Sequence, residues 1–99
     1  MSNTECEIWK LEGALTLYTF ENLHPQMVDR LSRRTGQEWD LAQVDSCDCA
    51  GLQLLCSARK SATASEISLR IVNPSPAIVS AAEGLGLDLS EITNPLTPV

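Results

Sequence analysis

Two short stretches near the start of the chain have the pattern of hydrophobic and polar positions expected of strands. In Ala14–Thr19 two leucines alternate with threonine and tyrosine, which places the two kinds on opposite faces of an extended strand. The segment Cys6–Leu11 mixes apolar with charged residues, and Glu12-Gly13 between the two stretches is typical of a turn. The pattern therefore predicts a β-hairpin.

From Glu21 the apolar period becomes helical. The residues that recur at this spacing are Leu23, Met27, Val28 and Leu31. Gly36 is expected to end this first helix. A strand over Glu38–Val44 and a polar loop over Asp45–Asp48 follow, and a second helix is predicted from Ala50 onward.

The last third of the chain repeats the order of strand and then helix. Glu66–Asn73 alternates apolar with polar residues and is predicted to be a strand. Ser75 and Pro76 suit the N-cap and first turn of a third helix, which Gly84 or Gly86 would end. The apolar residues of this helix that are expected to face inward are Ile78, Ala81, Ala82 and Leu85.

The predicted element order is therefore β-β-α-β-α-β-α, in a single domain that spans residues 1–99. Strands that alternate with helices indicate an α/β fold, in which helices pack on a mixed sheet through right-handed crossovers. A length of 99 residues suits one such domain.

Composition narrows the classes of function. The net charge of −6 argues against nucleic-acid binding, because contacts to phosphate need a basic surface. The sequence shows no basic start before an apolar stretch and no long apolar run. We therefore expect neither a signal peptide nor insertion into a membrane, and we expect the protein to be cytoplasmic. One His and one Tyr offer few groups for catalysis, so neither enzymatic activity nor a cofactor is expected.

The four cysteines of the sequence are Cys6, Cys47, Cys49 and Cys56. Without a secretory signal they are expected to be reduced thiols. Cys47 and Cys49 are separated by one residue, which is a poor spacing for a mutual disulfide and lacks the paired pattern of zinc sites. No metal site is predicted.

The junction before the second helix has the most unusual local sequence. Asp48 and Cys49 fall at the predicted helix start, where free N–H groups and a partial positive charge favour an anion. The simpler interpretation is that Asp48 is an N-cap and Cys49 a small, half-buried residue. Gly51 in the same turn is expected to allow either close backbone packing or the approach of a partner.

Three segments share a pattern with a known family: Gly13–Thr16, Trp39–Val44 and Asp48–Leu52. They resemble the STAS domain, best known from bacterial anti-sigma factor antagonists, and the resemblance extends over residues 13–87. Gly13–Thr19, Ala50–Leu55 and Asn73–Ala77 further resemble the STAS proteins found with bacterial chemotaxis kinases. The resemblance implies a central sheet of about four strands with helices mainly on one side.

The resemblance also implies that a protein partner binds around the start of the second helix. We call this the helix-start surface, and its residues are Asp45, Ser46, Asp48, Cys49, Ala50 and Gln53. In the family a Ser or Thr follows the Asp and is phosphorylated by a partner kinase, which releases the complex because the added charge repels. Cys49 stands at this phospho-acceptor position, so phosphate transfer to it is not expected.

Three interpretations of Cys49 remain open at this point. The domain is a constitutive binder, its switch has moved to redox chemistry at the thiol, or the cysteine is a neutral replacement in a scaffold protein. A helix start favours the thiolate, whereas the neighbouring carboxylates of Asp45 and Asp48 disfavour it.

The sequence thus predicts a non-enzymatic regulatory module of bacterial signalling. The expected partner is an anti-sigma kinase or a chemotaxis histidine kinase. The alternative is a small cytoplasmic STAS subunit of a lipid-transporting ABC system, with the ATPase as its partner.

Overall fold

The fold is built around a parallel β-sheet. The computed structural model describes residues 6–33 and 35–93. Within them, the strands β1 (Cys6–Leu15), β2 (Gly36–Cys47) and β3 (Leu69–Val72) lie in the order β1-β2-β3, and both pairs are parallel. The helices are α1 (Phe20–Ser32), α2 (Cys49–Ala64) and α3 (Pro76–Leu85), and two short 3-10 turns cover Leu17–Thr19 and Leu89–Glu91.

The predicted hairpin at the start of the chain is wrong. Glu12-Gly13 does not reverse the chain: the strand continues through both residues and stays paired with β2. Gly13 has a φ of 87° and lies next to a shift in the register of this pairing. A glycine with positive φ suits such an irregularity as well as a turn, and here it bends one continuous strand. The described sheet is consequently parallel and not mixed, it has three strands and not about four, and the element order is β-α-β-α-β-α.

β1 ends at Leu15 because a capping box turns the chain immediately afterwards. The backbone N–H of Thr16 donates to Thr19 Oγ1 at 3.0 Å, and the backbone N–H of Tyr18 donates to Thr16 Oγ1 at 3.2 Å. These local bonds compete with the sheet ladder and start a 3-10 turn that leads into α1. The Leu17–Thr19 turn therefore replaces the end of the predicted second strand.

Several predicted boundaries shift by a few residues. β2 is longer than Glu38–Val44 and takes in Asp45 and Ser46, which were expected in a loop. β3 is shorter than predicted because the chain before it still bonds to the end of α2. The backbone N–H of Ile67 donates to a carbonyl of α2 at 2.8 Å, and the preceding residue, Glu66, has a positive φ of 60°. The caps of α3 are confirmed: Ser75 Oγ accepts from the backbone of the first turn, and Gly86 ends the helix with φ of 69°.

The core lies between one face of the sheet and the helices. Trp39, Leu41 and Ile71 on the strands are completely buried, as are Leu55 of α2 and Ile78 of α3. All three helices contribute to this one cluster. Leu85, in contrast, was expected to face inward but is 54% exposed.

Candidate functional site

The carboxylate of Asp48 joins two backbone segments at the start of α2. The N–H of Gly51 donates to Asp48 Oδ1 at 2.9 Å, which is the predicted N-cap bond. The N–H of Leu17 donates to Asp48 Oδ2 at 3.0 Å, across 31 residues of sequence. The bonds from Leu17 and Gly51 lower the pKa of Asp48, because they stabilise its charged form. Asp48 therefore holds the Leu17–Thr19 turn against the helix start as an ionised side chain.

Gly51 is needed for backbone packing and not for the approach of a partner. The residue is buried, and a Cβ placed on it would lie 2.0 Å from the carbonyl oxygen of Leu15. The backbone N–H of Asp48 donates to this same oxygen at 3.3 Å. The first turn of α2 thus rests directly on the end of β1, and this position tolerates no side chain without movement of the backbone.

The neighbouring cysteines have different surroundings. Cys49 is exposed, so the expectation of a half-buried side chain is wrong for it, while Cys47 is partly buried. Burial, together with the charge of Asp48, raises the pKa of Cys47 to about 11. A thiol that stays protonated is a poor nucleophile, so at neutral pH Cys47 is not a reactive group. Cys49 is thus the more accessible of these two thiols.

The rest of the helix-start surface also faces solvent. Asp45, Ser46 and Gln53 are exposed and Ala50 is partly buried. Asp45 and Ser46 lie among the last residues of β2, shortly before the helix, while Gln53 is one turn into α2. These residues therefore occupy the same end of the molecule.

Two open grooves flank the first half of α2. The larger one, of about 320 Å³, is lined by the following residues: Cys49, Leu52, Gln53, Cys56, Leu85, Gly86 and Leu87. The other, of about 240 Å³, is lined by these: Phe20, His24, Gln53, Leu54 and Ser57. Gln53 belongs to both linings, so it stands on the ridge between them. The exposure of Leu85 is explained by its position on the wall of the larger groove.

Sequence reasoning missed two apolar residues beside this surface. Leu17 is 64% exposed and Tyr18 is 94% exposed, and both lie in the turn that Asp48 holds. They were assigned to a strand on the basis of alternation alone. The threonines at positions 16 and 19 were the available signal, since their spacing is that of a capping box and indicates a turn.

Two further features, metal-ligand groups and membrane-spanning helices, can be assessed in the described residues. No group of three or more His, Cys, Asp or Glu side chains among them could hold a metal ion. Of the helices described, none is both long and apolar enough to cross a membrane.

Comparisons with known proteins cover most of the chain. The family model described as "Mlab, STAS domain" matches residues 2–94. Among solved structures, the anti-sigma factor antagonist SpoIIAA in its unphosphorylated form matches with a TM-score of 0.65 and 19% identity, over 88% of this chain and 77% of that chain. At this identity the similarity establishes the fold. No curated protein sequence matches the chain.

Proposed function

This chain belongs to the STAS domain family, since the family model spans residues 2–94, and on that premise we propose that it is a non-enzymatic regulatory module of bacterial signalling that acts in the cytoplasm. Its partner in this proposal is an anti-sigma kinase or a chemotaxis histidine kinase, and its binding site is the helix-start surface.

One observation carries the proposal: Cys49 is exposed immediately after the helix cap that Asp48 forms. In the family the phospho-acceptor hydroxyl stands at this position. A thiol there is uncharged in its protonated form and similar in size to the unphosphorylated serine. The position that regulates relatives is therefore accessible here but lacks the hydroxyl that a Ser/Thr kinase uses.

It follows that the module remains in its binding-competent state. A phosphate at this position would add a charge of about −1.5 to −2 beside Asp48, with repulsion and desolvation as the consequence. Cys49 does not receive that charge from a Ser/Thr kinase. Constitutive binding is accordingly the first of the three interpretations of Cys49 to test.

The test is a titration of the kinase encoded in the same operon with three forms of the protein. Cys49→Asp places a carboxylate at the acceptor position and is expected to weaken binding by about 1 to 3 kcal/mol. Cys49→Ser restores the hydroxyl and is expected to bind as wild type does. Calorimetry gives the affinities, and mass spectrometry after incubation with ATP locates any phosphate.

The outcomes separate the alternatives. Phosphate on the introduced hydroxyl of the Cys49→Ser variant and none on wild-type Cys49 supports the proposal, while equal affinities for all three forms would remove the helix-start surface as the interface. Weaker binding by wild type after peroxide treatment, but not by Cys49→Ser, would favour the redox interpretation. Binding to an ABC ATPase in place of a kinase would replace the proposed partner with the lipid-transport alternative.

A further inference from the structure

We infer that Leu17 and Tyr18 form the anchor of the partner-binding surface and that they dock on a positively charged protein surface, with Arg or Lys side chains against the Tyr18 ring. This inference rests on the proposed function, since it concerns the same end of the molecule. It adds two residues to the interface and defines the charge of the partner.

Two large side chains are exposed on a turn whose backbone is held in place. Tyr18 projects almost completely into solvent and Leu17 is mostly exposed. Asp48, Thr16 and Thr19 nevertheless fix the backbone of this turn through hydrogen bonds of 3.0 to 3.2 Å. A rigid exposed tyrosine loses little conformational freedom on binding, which is why tyrosine is frequent among the residues that dominate binding energy.

Positive and negative charges are unevenly distributed along the chain. No Lys or Arg occurs in residues 11–29 or 41–58, the segments that end β1 and β2 and begin α1 and α2. The acids in these segments at the same end of the sheet are Glu12, Glu21, Asp45 and Asp48. Of the basic residues elsewhere in the described chain, Arg33 pairs with Glu7 and Arg70 with Glu38, while Arg59 donates to the backbone carbonyls of Leu69 and Ile92. The surface around Tyr18 is therefore negative.

Charge complementarity selects the occupant. A negative surface attracts a basic one and speeds its association, while like charges across an interface are unfavourable. A second copy of this chain would present the same acids, and an anionic membrane or a nucleic acid would be repelled in the same way. The exposed face of a tyrosine ring also attracts a guanidinium or ammonium group. A basic protein surface is the partner that satisfies both features.

The experiment measures the dissociation constant, Kd, for the kinase encoded in the same operon, with full-length variants whose thermal unfolding matches that of wild type. Tyr18→Ala is expected to raise Kd at least about tenfold, as removal of a dominant interface side chain does. Ile8→Ala is the matched control, because Ile8 is an apolar residue, 61% exposed, that lies on β1 away from the turn. It should leave Kd unchanged.

The charge of the surface is tested by comparing the Kd and its salt dependence for Asp45→Asn and for Glu66→Gln. The first should raise Kd several-fold and reduce the salt dependence of binding, because it removes a negative charge near the turn. The second removes an exposed acid at the far end of α2 and should change neither quantity. Affinity that does not fall with increasing salt would contradict the inferred basic partner.

The results also separate this inference from the proposed function. If Cys49→Asp weakens binding and Tyr18→Ala does not, the anchor is wrong and the proposed function stands. If Tyr18→Ala weakens binding and Cys49→Asp does not, the anchor stands without the proposed regulation. A dimer abolished by Tyr18→Ala in sedimentation, or binding to vesicles of anionic lipid, would overturn the assignment of a basic protein partner.

Discussion

The two ends of the parallel sheet are built on different principles. At the amino ends of β1 and β2, side chains bond mainly to one another. At the carboxyl end, backbone N–H groups donate hydrogen bonds to the carboxylate of Asp48. The side chains of Leu17 and Tyr18 beside it are exposed to solvent.

The amino end has a buried polar link at its centre. Gln37 is completely buried, accepts a hydrogen bond from Trp39 Nε1–H at 3.1 Å and donates from Nε2 to Glu7 Oε1 at 3.0 Å. Arg33 in turn pairs with Glu7 at 3.0 Å. The chain of contacts thus runs from the core to the surface, and a buried group with both partners present avoids the penalty of an unsatisfied polar group.

Aromatic and charged groups complete this end. Trp9 meets Trp39 edge to face, with ring centroids 5.3 Å apart, and the guanidinium of Arg30 lies 4.3 Å above the ring of Trp9. Arg30 and Arg33 therefore make their contacts within the molecule, with Trp9 and Glu7. The amino end is therefore arranged for stability, whereas the carboxyl end leaves apolar and acidic side chains exposed, as the proposed partner-binding surface requires.

The largest expected effect is at Gly51, where Gly51→Ala should lower the free energy of unfolding by about 3 kcal/mol, because the new Cβ collides with the backbone of β1. Urea unfolding measures it. Gly84→Ala in α3 is the matched control, since a Cβ there meets nothing within 4 Å, and it should stabilise by up to about 1 kcal/mol. Similar results for the two variants would show that the contact between Gly51 and Leu15 is not close.

At the amino end, Gln37→Ala should cost about 2 kcal/mol of stability, since it leaves the indole N–H of Trp39 buried without an acceptor. Partner affinity should not change. Gln43→Ala on the same strand is the control, because Gln43 is exposed. A loss of affinity with Gln37→Ala at wild-type fold content would contradict the division of roles between the two ends.

Asp48→Asn is expected to cost about 0.5 to 1 kcal/mol at neutral pH, through the loss of a charged acceptor at a helix start. The folded pKa of Asp48 lies below its ordinary value, so its contribution is present above a pH of about 4 and is lost as pH falls through the folded pKa. The stability difference from wild type should therefore disappear in acid. Urea unfolding of wild type and Asp48→Asn, from neutral pH to below about pH 4, measures this difference, and Asp45→Asn is the control. A difference that does not change with pH would contradict an ionised Asp48 that joins the Leu17–Thr19 turn to α2.

The smallest effect is expected for Arg33→Gln, which removes exposed ion pairs to Glu7 and Asp29 at the amino end. Such pairs contribute little because water and salt screen them. The difference from wild type in thermal unfolding should be small at low salt and vanish near about 1 M salt, where the screening length is about 3 Å. A large difference that persists in salt would mean that Arg33 is part of the buried link.

Local rules were sufficient for the existence of the three helices and for the caps of two of them. The caps of α2 and α3 follow from Asp48, Ser75 and Gly86, because a cap depends on residues within one turn of sequence. The same local rules failed over Ala14–Thr19, where alternation indicated a strand and the capping box formed a turn instead. Two short-range signals competed there, and in the structure the capping box prevails after Leu15.

The sequence by itself thus determined the α/β class, the caps of α2 and α3, and the resemblance that implies a regulatory position for Cys49. Only the tertiary structure decided that the first strand is continuous, that Gly51 rests on Leu15 and that Tyr18 stands exposed beside Asp48. The physical reason is distance along the chain. The bond from Leu17 to Asp48 spans 31 residues and that from Gln37 to Glu7 spans 30, and no local pattern encodes which groups will meet across such separations.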